Sequence, residues 1–215
     1  MPFEPEPGSK ISYIGACIRK TTGSADNAWR NSIRPGKKII YSSMGSQAMS
    51  FKTDCLFFFR KVIDIMRSPV MDGFHLVLAV SAELDAIGEW PALPQSVTIL
   101  HWAPQMEILQ EASVAVIHGG FGTVKECIFH GVPMVVLPLG RDQPWNARLV
   151  EQRKLGISGR LKDVSESHLI DLITHVLNDP AIRENIGNMQ RYFRDEEQEQ
   201  AGVPIVESLL ERNTR

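Results

Sequence analysis

Residues 116–123 read Val116-Ile117-His118-Gly119-Gly120-Phe121-Gly122-Thr123, and this stretch decides the fold class. An apolar run ends at Ile117, three glycines follow, and a helix is predicted to begin at Thr123. Glycines let the backbone approach a ligand closely, and a helix start offers unpaired N–H groups with partial positive charge. The stretch therefore predicts a strand, an anion-binding loop and a helix.

Short apolar runs separated by helix-length stretches continue on both sides of this motif. The predicted strands are residues 38–42, 74–80, 97–100, 114–117 and 134–137. Because these runs are apolar throughout, they are typical of parallel strands covered by helices on both faces. We expect one helix to be capped by Ser50 and another to cover residues 123–129. The sequence thus predicts an α/β domain with a parallel sheet.

The chain divides into a polar beginning and a regular remainder. Residues 1–36 start with an acidic, proline-rich segment and continue with small polar residues, so we expect a tail or the remnant of an interdomain linker. Residues 37–215 are expected to form one ligand-binding domain. Its last predicted helix carries an apolar face that either closes over the domain or docks on another one; that face comprises Val203, Val206, Leu209 and Leu210.

Composition excludes several classes of partner. The net charge of -2 gives no basic field for a nucleic acid, so we expect no nucleic-acid partner. Cys17, Cys55 and Cys127 are scattered, which indicates neither a disulfide framework nor a zinc site and favours a reducing, cytoplasmic location. No apolar run approaches the roughly 18–20 residues that span a bilayer, so membrane association is not indicated.

Three other polar loops follow predicted strands, where ligands bind to open parallel sheets. The first contains Ser46, whose backbone and hydroxyl are suited to a phosphate, although a plain tight turn of Ser and Gly explains this loop as well. The second, residues 101–105, contains Trp102, Ala103 and Gln105. Trp102 or its backbone can form one wall of a pocket for a nucleobase. The third, residues 140–146, pairs Asp142 with Gln143, which offer acceptors and a donor to vicinal sugar hydroxyls. Binding at this edge is therefore predicted to involve four loops.

Each candidate residue also has a structural interpretation. His118 is either a phosphate ligand or a core histidine with its hydrogen bonds satisfied. Glu126 either reaches ribose hydroxyls or closes a capping box with Thr123. Trp102 is either a base wall or a core residue, and the residues around Asp142 are either sugar ligands or a polar helix cap. Single residues do not choose between these alternatives.

Together, the order and spacing of these residues resemble the donor domain of UDP-sugar-dependent glycosyltransferases, which have two facing Rossmann-like domains, the GT-B architecture. The motifs that carry the resemblance are Trp102-Ala103-Pro104-Gln105, His118-Gly119-Gly120-x-Gly122-Thr123, Glu126, and Asp142-Gln143 with Asn146. The match is close from residue 37 to about residue 161. The resemblance implies that residues 37–215 are a nucleotide-sugar donor-binding domain, one half of that architecture.

The resemblance implies a role for each part of the site. Trp102 and Ala103 would lie beside the nucleobase, and Gln105 and Glu126 beside the ribose. His118 would bind phosphate and stabilise the leaving group. The diphosphate would be held by backbone and hydroxyl groups of Gly120, Gly122 and Thr123. Asp142 and Gln143 would grip the transferred sugar.

The sequence of these motifs resembles bacterial members acting on natural products, sterols or carotenoids more than plant members. Phe121 and Gly122 occupy the positions where plant members have Trp and Asn. The implied donor is a UDP-hexose, UDP-glucose being favoured, or a dTDP-sugar. It is a substrate, and neither a cofactor nor a metal is expected.

The implied function is inverting, metal-independent transfer of a hexose to a small hydrophobic acceptor. The resemblance places the general base in an N-terminal acceptor domain, and no segment here resembles that domain. We therefore expect a donor-binding fragment that is inactive alone. The alternatives are a donor-binding subunit that needs a separate acceptor-side partner, and one half of a nucleotide-sugar epimerase.

Overall fold

The computed structural model describes residues 14–18, 28–90, 92–200 and 202–212. Within them, six parallel strands form one sheet: β1 Lys38–Ser43, β2 Phe74–Ala79, β3 Val97–Leu100, β4 Ala112–Ile117, β5 Met134–Val136 and β6 Gly156–Ser158. The helices are α1 Ala28–Asn31, α2 Lys52–Ile65, α3 Ala82–Ala86, α4 Gln105–Glu111, α5 Phe121–His130, α6 Gln143–Gln152, α7 Glu166–Asn178, α8 Pro180–Glu199 and α9 Gly202–Arg212. The predicted α/β fold with a parallel sheet is confirmed.

The strand order is β3-β2-β1-β4-β5-β6, as in Rossmann folds. The chain winds outward from β1 to β3 and then returns to place β4 on the other side of β1. The loops that follow β1 and β4 consequently leave the sheet in opposite directions. Ligands of open parallel sheets bind in the crevice at such a reversal.

Two apolar clusters cover the two faces of the sheet. On one face α2 and α7 bury Phe58, Phe59 and Ile173 against the strands. On the other, side chains of α4, α5, α6 and α8 pack around Tyr41 and Ile117. Helices on both faces explain why the strands are continuously apolar.

Part of the predicted linker also contacts this core. Trp29 of α1 is 3% exposed and packs in the second cluster, as does Ala16. The Ala16 carbonyl accepts a 2.6 Å hydrogen bond from Nζ of Lys125, and Ile18 N donates to Oε1 of Glu197. The division into residues 1–36 and 37–215 stays a prediction, and this contact attaches described residues of the first part to the second.

Two predicted helix starts are wrong. The helix expected from Ser50 begins at Lys52, after a 3-10 turn over Ala48–Phe51, and Phe51 occupies its N-cap without a side-chain cap bond. The helix expected at Thr123 begins at Phe121, with Gly120 as N-cap. Thr123 therefore lies inside the first turn and does not form a capping box with Glu126.

The sixth strand was not predicted. β6 has three residues and begins with Gly156, which pairs with Met134 of β5. A Cβ on Gly156 would lie 2.0 Å from the Met134 carbonyl oxygen, so only glycine fits there. The same requirement removes the apolar pattern by which a strand is recognised.

Candidate functional site

His118 lies at the reversal between β1 and β4. It follows the last residue of β4 and is 7% exposed. Its ring fits between two glycines, since a Cβ on Gly45 would lie 2.6 Å from Nε2 and one on Gly120 would lie 2.4 Å from it. Gly45 belongs to the loop after β1 and has a φ of 72°, which favours glycine. The ring is thus held where the two loops diverge.

The hydrogen bonding of His118 is incomplete. Its Nδ1 is buried and has no hydrogen-bond partner within the part of the chain that the structure describes. Buried polar atoms are normally paired, and an unpaired one calls for an explanation such as a bound ligand or water. Among the described residues, Trp29, His75 and His130 each have one as well, but only His118 lies at the strand reversal. The unpartnered Nδ1 favours the interpretation of His118 as a phosphate ligand over that of a satisfied core histidine, and the ligand role stays a prediction.

The charge state of His118 follows from its surroundings. Burial lowers its pKa from the ordinary value, while the backbone of Ser43 and the charge of Asp142 act in the opposite direction. The ring is therefore neutral near pH 7, and one ring nitrogen can donate to an anion. A bound phosphate would raise the pKa, because a neighbouring negative charge favours the imidazolium.

Backbone donors lie beside His118. The N–H groups of the first turn of α5 have no partner inside the helix, and Gly120 provides no side-chain cap. Gly119 has a φ of 87°, and a Cβ there would lie 2.7 Å from Cγ1 of Val136. The motif therefore requires glycine at residue 119 and offers the start of a ten-residue helix to an anion.

A hydrogen-bonded chain of three side chains lies on the β1 side of α5. The hydroxyl of Tyr41 donates to Oε1 of Gln105 over 2.6 Å. Nε2 of Gln105 donates to Oε2 of Glu126 and lies 3.5 Å from Oγ1 of Thr123. The structure thus brings together Gln105, Thr123 and Glu126, and adds Tyr41, which was not predicted.

The loop between β5 and α6 is tied to the His118 loop. Nδ2 of Asn146 is 2.9 Å from the Gly119 carbonyl and 2.9 Å from Oδ2 of Asp142. Gln143 is 4% exposed, and its Oε1 accepts hydrogen bonds from the backbone N–H groups of Leu139 and Gly140. Its amide nitrogen is therefore the end that can donate to a sugar.

The Asp142 side chain is exposed. Asp142 is the N-cap residue of α6, but its side chain makes no cap bond. Its carboxylate accepts from Asn146 instead, so the polar-cap interpretation accounts for its position and not for its side chain.

The remaining predicted residues are more open. Trp102 is 88% exposed, so its interpretation as a core residue is wrong. Ala103 is half-buried and Ser46 is exposed. Next to Trp102, Nε2 of His101 pairs with Oδ2 of Asp85 at 2.6 Å, and Oδ1 of Asp85 accepts from Trp90. This short network connects the strand end that carries Trp102 to Asp85 of α3. The sequence analysis missed the pairing of His101 with Asp85, because it depends on how residues 85 and 101 come together in the fold.

The described residues bear on two further expectations, concerning a metal site and a membrane span. Among them, no group of three His, Cys, Asp or Glu side chains is arranged to hold a metal ion. None of the helices formed by those residues is both long enough and apolar enough to span a membrane.

Three histidines predict acid sensitivity of the fold. Burial is the main cause that lowers the pKa of His75, His118 and His130. In the unfolded chain each imidazole takes up a proton below about pH 6.5, whereas the folded chain resists protonation. The stabilising contribution is thus complete above that pH and is lost as the pH falls from it toward the folded pKa values.

We expect the urea midpoint of unfolding to fall steadily between pH 7.5 and 5.5. His75→Gln removes one titrating ring at a site where Nε2 bonds to Thr98, and it should make the slope shallower. A midpoint that stays constant over this range would contradict the assignment of neutral histidines.

Known proteins resemble this chain over a region that includes most of the candidate site. The model of the family described as UDP-glucoronosyl and UDP-glucosyl transferase matches residues 87–201, more than half of the chain. The uncharacterized UDP-glucosyltransferase YojK of Bacillus subtilis (strain 168) is 27% identical over 183 residues, which cover 85% of this chain and 43% of YojK.

Solved structures share the fold. The crystal structure of the glycotransferase of kitacinnamycin has 30% sequence identity and a TM-score of 0.77, covering 94% of this chain and 48% of that one. The spinosyn rhamnosyltransferase SpnG complexed with thymidine diphosphate has 24% identity and a TM-score of 0.69, covering 86% and 48%, and it shows the fold alone.

The chain spans about half the length of these relatives. The matches are to glycosyltransferases, which favours this class of enzyme over the epimerase alternative. The sheet is the Rossmann-like half of a GT-B fold, and the chain belongs to the UDP-glucoronosyl and UDP-glucosyl transferase family.

Proposed function

We propose that this chain is the donor-binding half of an inverting, metal-independent glycosyltransferase that moves a hexose from a UDP-sugar, or a dTDP-sugar, to a small hydrophobic acceptor. The observation that carries the proposal is the position of His118. Its buried ring has an unpaired nitrogen, fits between Gly45 and Gly120, and adjoins the open amides of α5. A neutral donor and a helix start at one point suit a diphosphate.

The proposed chemistry is a single displacement. The acceptor oxygen forms a bond to the anomeric carbon as the bond from that carbon to the diphosphate oxygen breaks, and the electron pair leaves with the nucleoside diphosphate. His118 and the first-turn amides of α5 stabilise the negative charge that grows on this oxygen. The acceptor proton passes to a general base outside the described residues. Protein donors thus do what a metal ion does in other transferases.

The other predicted residues are assigned around this point. We assign the nucleobase to Trp102 and Ala103, whose loop leaves an indole 88% exposed. The ribose is assigned to Gln105 and Glu126, which are hydrogen-bonded to each other.

The diphosphate is assigned to Ser46, Gly120, Gly122 and Thr123 together with His118. The hexose is assigned to Asp142 and Gln143, which Asn146 links to the His118 loop through Asp142. The assignments follow the loops in the order base, ribose, diphosphate and sugar.

Of the two proposed nucleotides, UDP is the one that the proposed ribose subsite favours. The Gln105–Glu126 pair places a carboxylate at the proposed ribose subsite, and a carboxylate accepts hydrogen bonds from a vicinal diol. dTDP lacks the 2′-hydroxyl, so it would give that carboxylate one partner fewer. The name of YojK also specifies a UDP-sugar, whereas SpnG was solved with thymidine diphosphate, so both nucleotides occur among the relatives.

Acceptor binding is proposed to belong to another domain or a partner subunit. The chain aligns with 43% of YojK and 48% of the kitacinnamycin enzyme, so about half of each relative has no counterpart here. We place the acceptor pocket and the general base in that half. The apolar face of α9 is half-exposed and is proposed to dock there; it contains Val203, Val206, Leu209 and Leu210.

Isothermal titration of the chain with UDP tests the proposed function. We expect a dissociation constant of about 1 mM or tighter, because the diphosphate and ribose subsites are both in this chain. UDP should also bind better than uridine, which lacks the diphosphate that His118 recognises. If millimolar UDP produces no heat and no thermal shift, the proposal is overturned. With UDP-glucose and a phenolic acceptor, we expect binding without turnover, and turnover would refute the placement of the base.

A further inference from the structure

Tyr41 connects the sheet to the proposed ribose subsite. It lies within β1, its side chain is 1% exposed, and it packs in the apolar cluster with Ile117 and Cys127. Its hydroxyl is the only polar group of that side chain, and it donates to Gln105, 64 residues further along the chain. Burial raises the pKa of Tyr41 above its ordinary value, so the phenol remains a proton donor at any physiological pH.

The hydrogen bonds among Tyr41, Gln105 and Glu126 permit one orientation of the Gln105 amide. The carboxylate of Glu126 only accepts, so it requires the NH2 end of Gln105 to face it. The oxygen end then faces Tyr41, whose hydroxyl must donate. The reversed amide would place Oε1 against a carboxylate oxygen, which is repulsive. Tyr41 therefore donates to Gln105, and Gln105 donates to Glu126.

This direction determines which atoms of Glu126 are available. Oε2 is engaged by Gln105, while Oε1 makes no hydrogen bond to the residues that the structure describes. Gln and Glu side chains can adopt several staggered rotamers, and a hydrogen-bond partner selects one of them. Here the fixed point is a phenol held in the core, and Gln105 transmits its position to the carboxylate.

We propose that Tyr41 is a positioning residue that makes the donor site selective for a ribonucleotide over a 2′-deoxyribonucleotide. The proposal rests on the proposed function. Tyr41 does not touch the donor; it holds the Gln105 amide, which orients the Glu126 carboxylate toward the ribose diol. Without the phenolic hydroxyl, the amide rotates and the carboxylate no longer distinguishes a diol from a single hydroxyl.

The test compares UDP with 2′-deoxy-UDP by titration calorimetry on the wild-type chain and on Tyr41→Phe. The wild type should bind UDP about fivefold more tightly, the value of roughly one hydrogen bond. Tyr41→Phe should bring the ratio close to one by weakening UDP, and leave binding of the deoxynucleotide within about twofold. An unchanged ratio in Tyr41→Phe would overturn the proposal.

Ser42→Ala is the matched control. Ser42 is the next residue of β1, is fully buried, and loses a comparable hydroxyl bond, to the Val116 carbonyl at 3.0 Å. It should destabilise the chain while keeping the wild-type ratio. If it lowers the ratio as much as Tyr41→Phe does, Tyr41 is merely structural and the proposal fails.

Gln105→Glu is a second variant that is independent of the core. It keeps the side-chain length but replaces the donor that faces Glu126 by an acceptor, so it should abolish the ratio. A Gln105→Glu variant that keeps the wild-type ratio would show that the Gln105 amide does not orient Glu126, and would overturn the proposal even if Tyr41→Phe does not fold. The failures are distinguishable. A wild type that binds no UDP refutes the proposed function, whereas one that binds UDP and its deoxy analogue equally refutes only the positioning by Tyr41.

Discussion

His118→Ala is expected to weaken UDP binding by about tenfold to a hundredfold, because a hydrogen bond to a charged group contributes about 1.5–3 kcal/mol. The ring lies between Gly45 and Gly120 at the strand reversal, where the proposed diphosphate would also lie against the start of α5. Alanine leaves the helix amides in place, so binding should be reduced and not abolished. Titration calorimetry with UDP measures the change directly.

Stability should respond much less than affinity. Nδ1 of His118 has no partner among the described residues, so the substitution breaks no satisfied hydrogen bond at that atom. We expect the free energy of unfolding to change by no more than about 1 kcal/mol. His130→Ala is the control, since His130 ends the same helix, has a lowered pKa for the same main reason, and is ten residues from the N-cap at Gly120. Equal losses of affinity in the two variants would show that His118 is not a ligand.

Gly156→Ala is expected to lower the free energy of unfolding by about 3 kcal/mol, the upper end for forced overpacking of a core. The new Cβ would lie 2.0 Å from the Met134 carbonyl oxygen, 2.8 Å from its carbon and 2.9 Å from its nitrogen. All three are backbone atoms of β5, so no side-chain rotation relieves the contact. β6 must therefore separate from β5 or both strands must shift.

The melting temperature should fall by about 6–12 °C for that loss in a chain of this size. Gly73→Ala is the control, because a Cβ at residue 73 meets nothing within 4 Å and its φ is not positive. Urea unfolding of both variants gives the comparison. A Gly156→Ala variant as stable as Gly73→Ala would mean that β6 does not pair with β5 as described.

Strand positions were predictable wherever burial on both faces leaves an uninterrupted apolar run. β3 has the predicted bounds, and β1, β2 and β5 differ from prediction by one residue at one end. β6 could not be found, because the close approach of Met134 requires glycine where an apolar residue would have signalled a strand. The start of α5 was misplaced for a related reason: Gly120 takes the N-cap position without a side chain that could mark it.

The loops of the candidate site were predictable from their spacing, but the contacts between them were not. The hydrogen bond from Tyr41 to Gln105 depends on which strands are neighbours, and sequence order does not reveal that β1 lies beside β4. Tyr41 itself appears as one more apolar residue of a strand. The exposure of Trp102 was equally hidden, because an indole at a strand end has the same local sequence whether it is buried or exposed.

Asn146 joins two loops through a single amide nitrogen, and this affects the thermodynamics of binding. The loop of Gly119 and the loop of Asp142 are already connected when no nucleotide sugar is present. Ordering mobile loops around a ligand costs conformational entropy, which subtracts from affinity. Here that entropy is lost when the chain folds, so the proposed phosphate and sugar subsites are preorganised with respect to each other before the donor arrives.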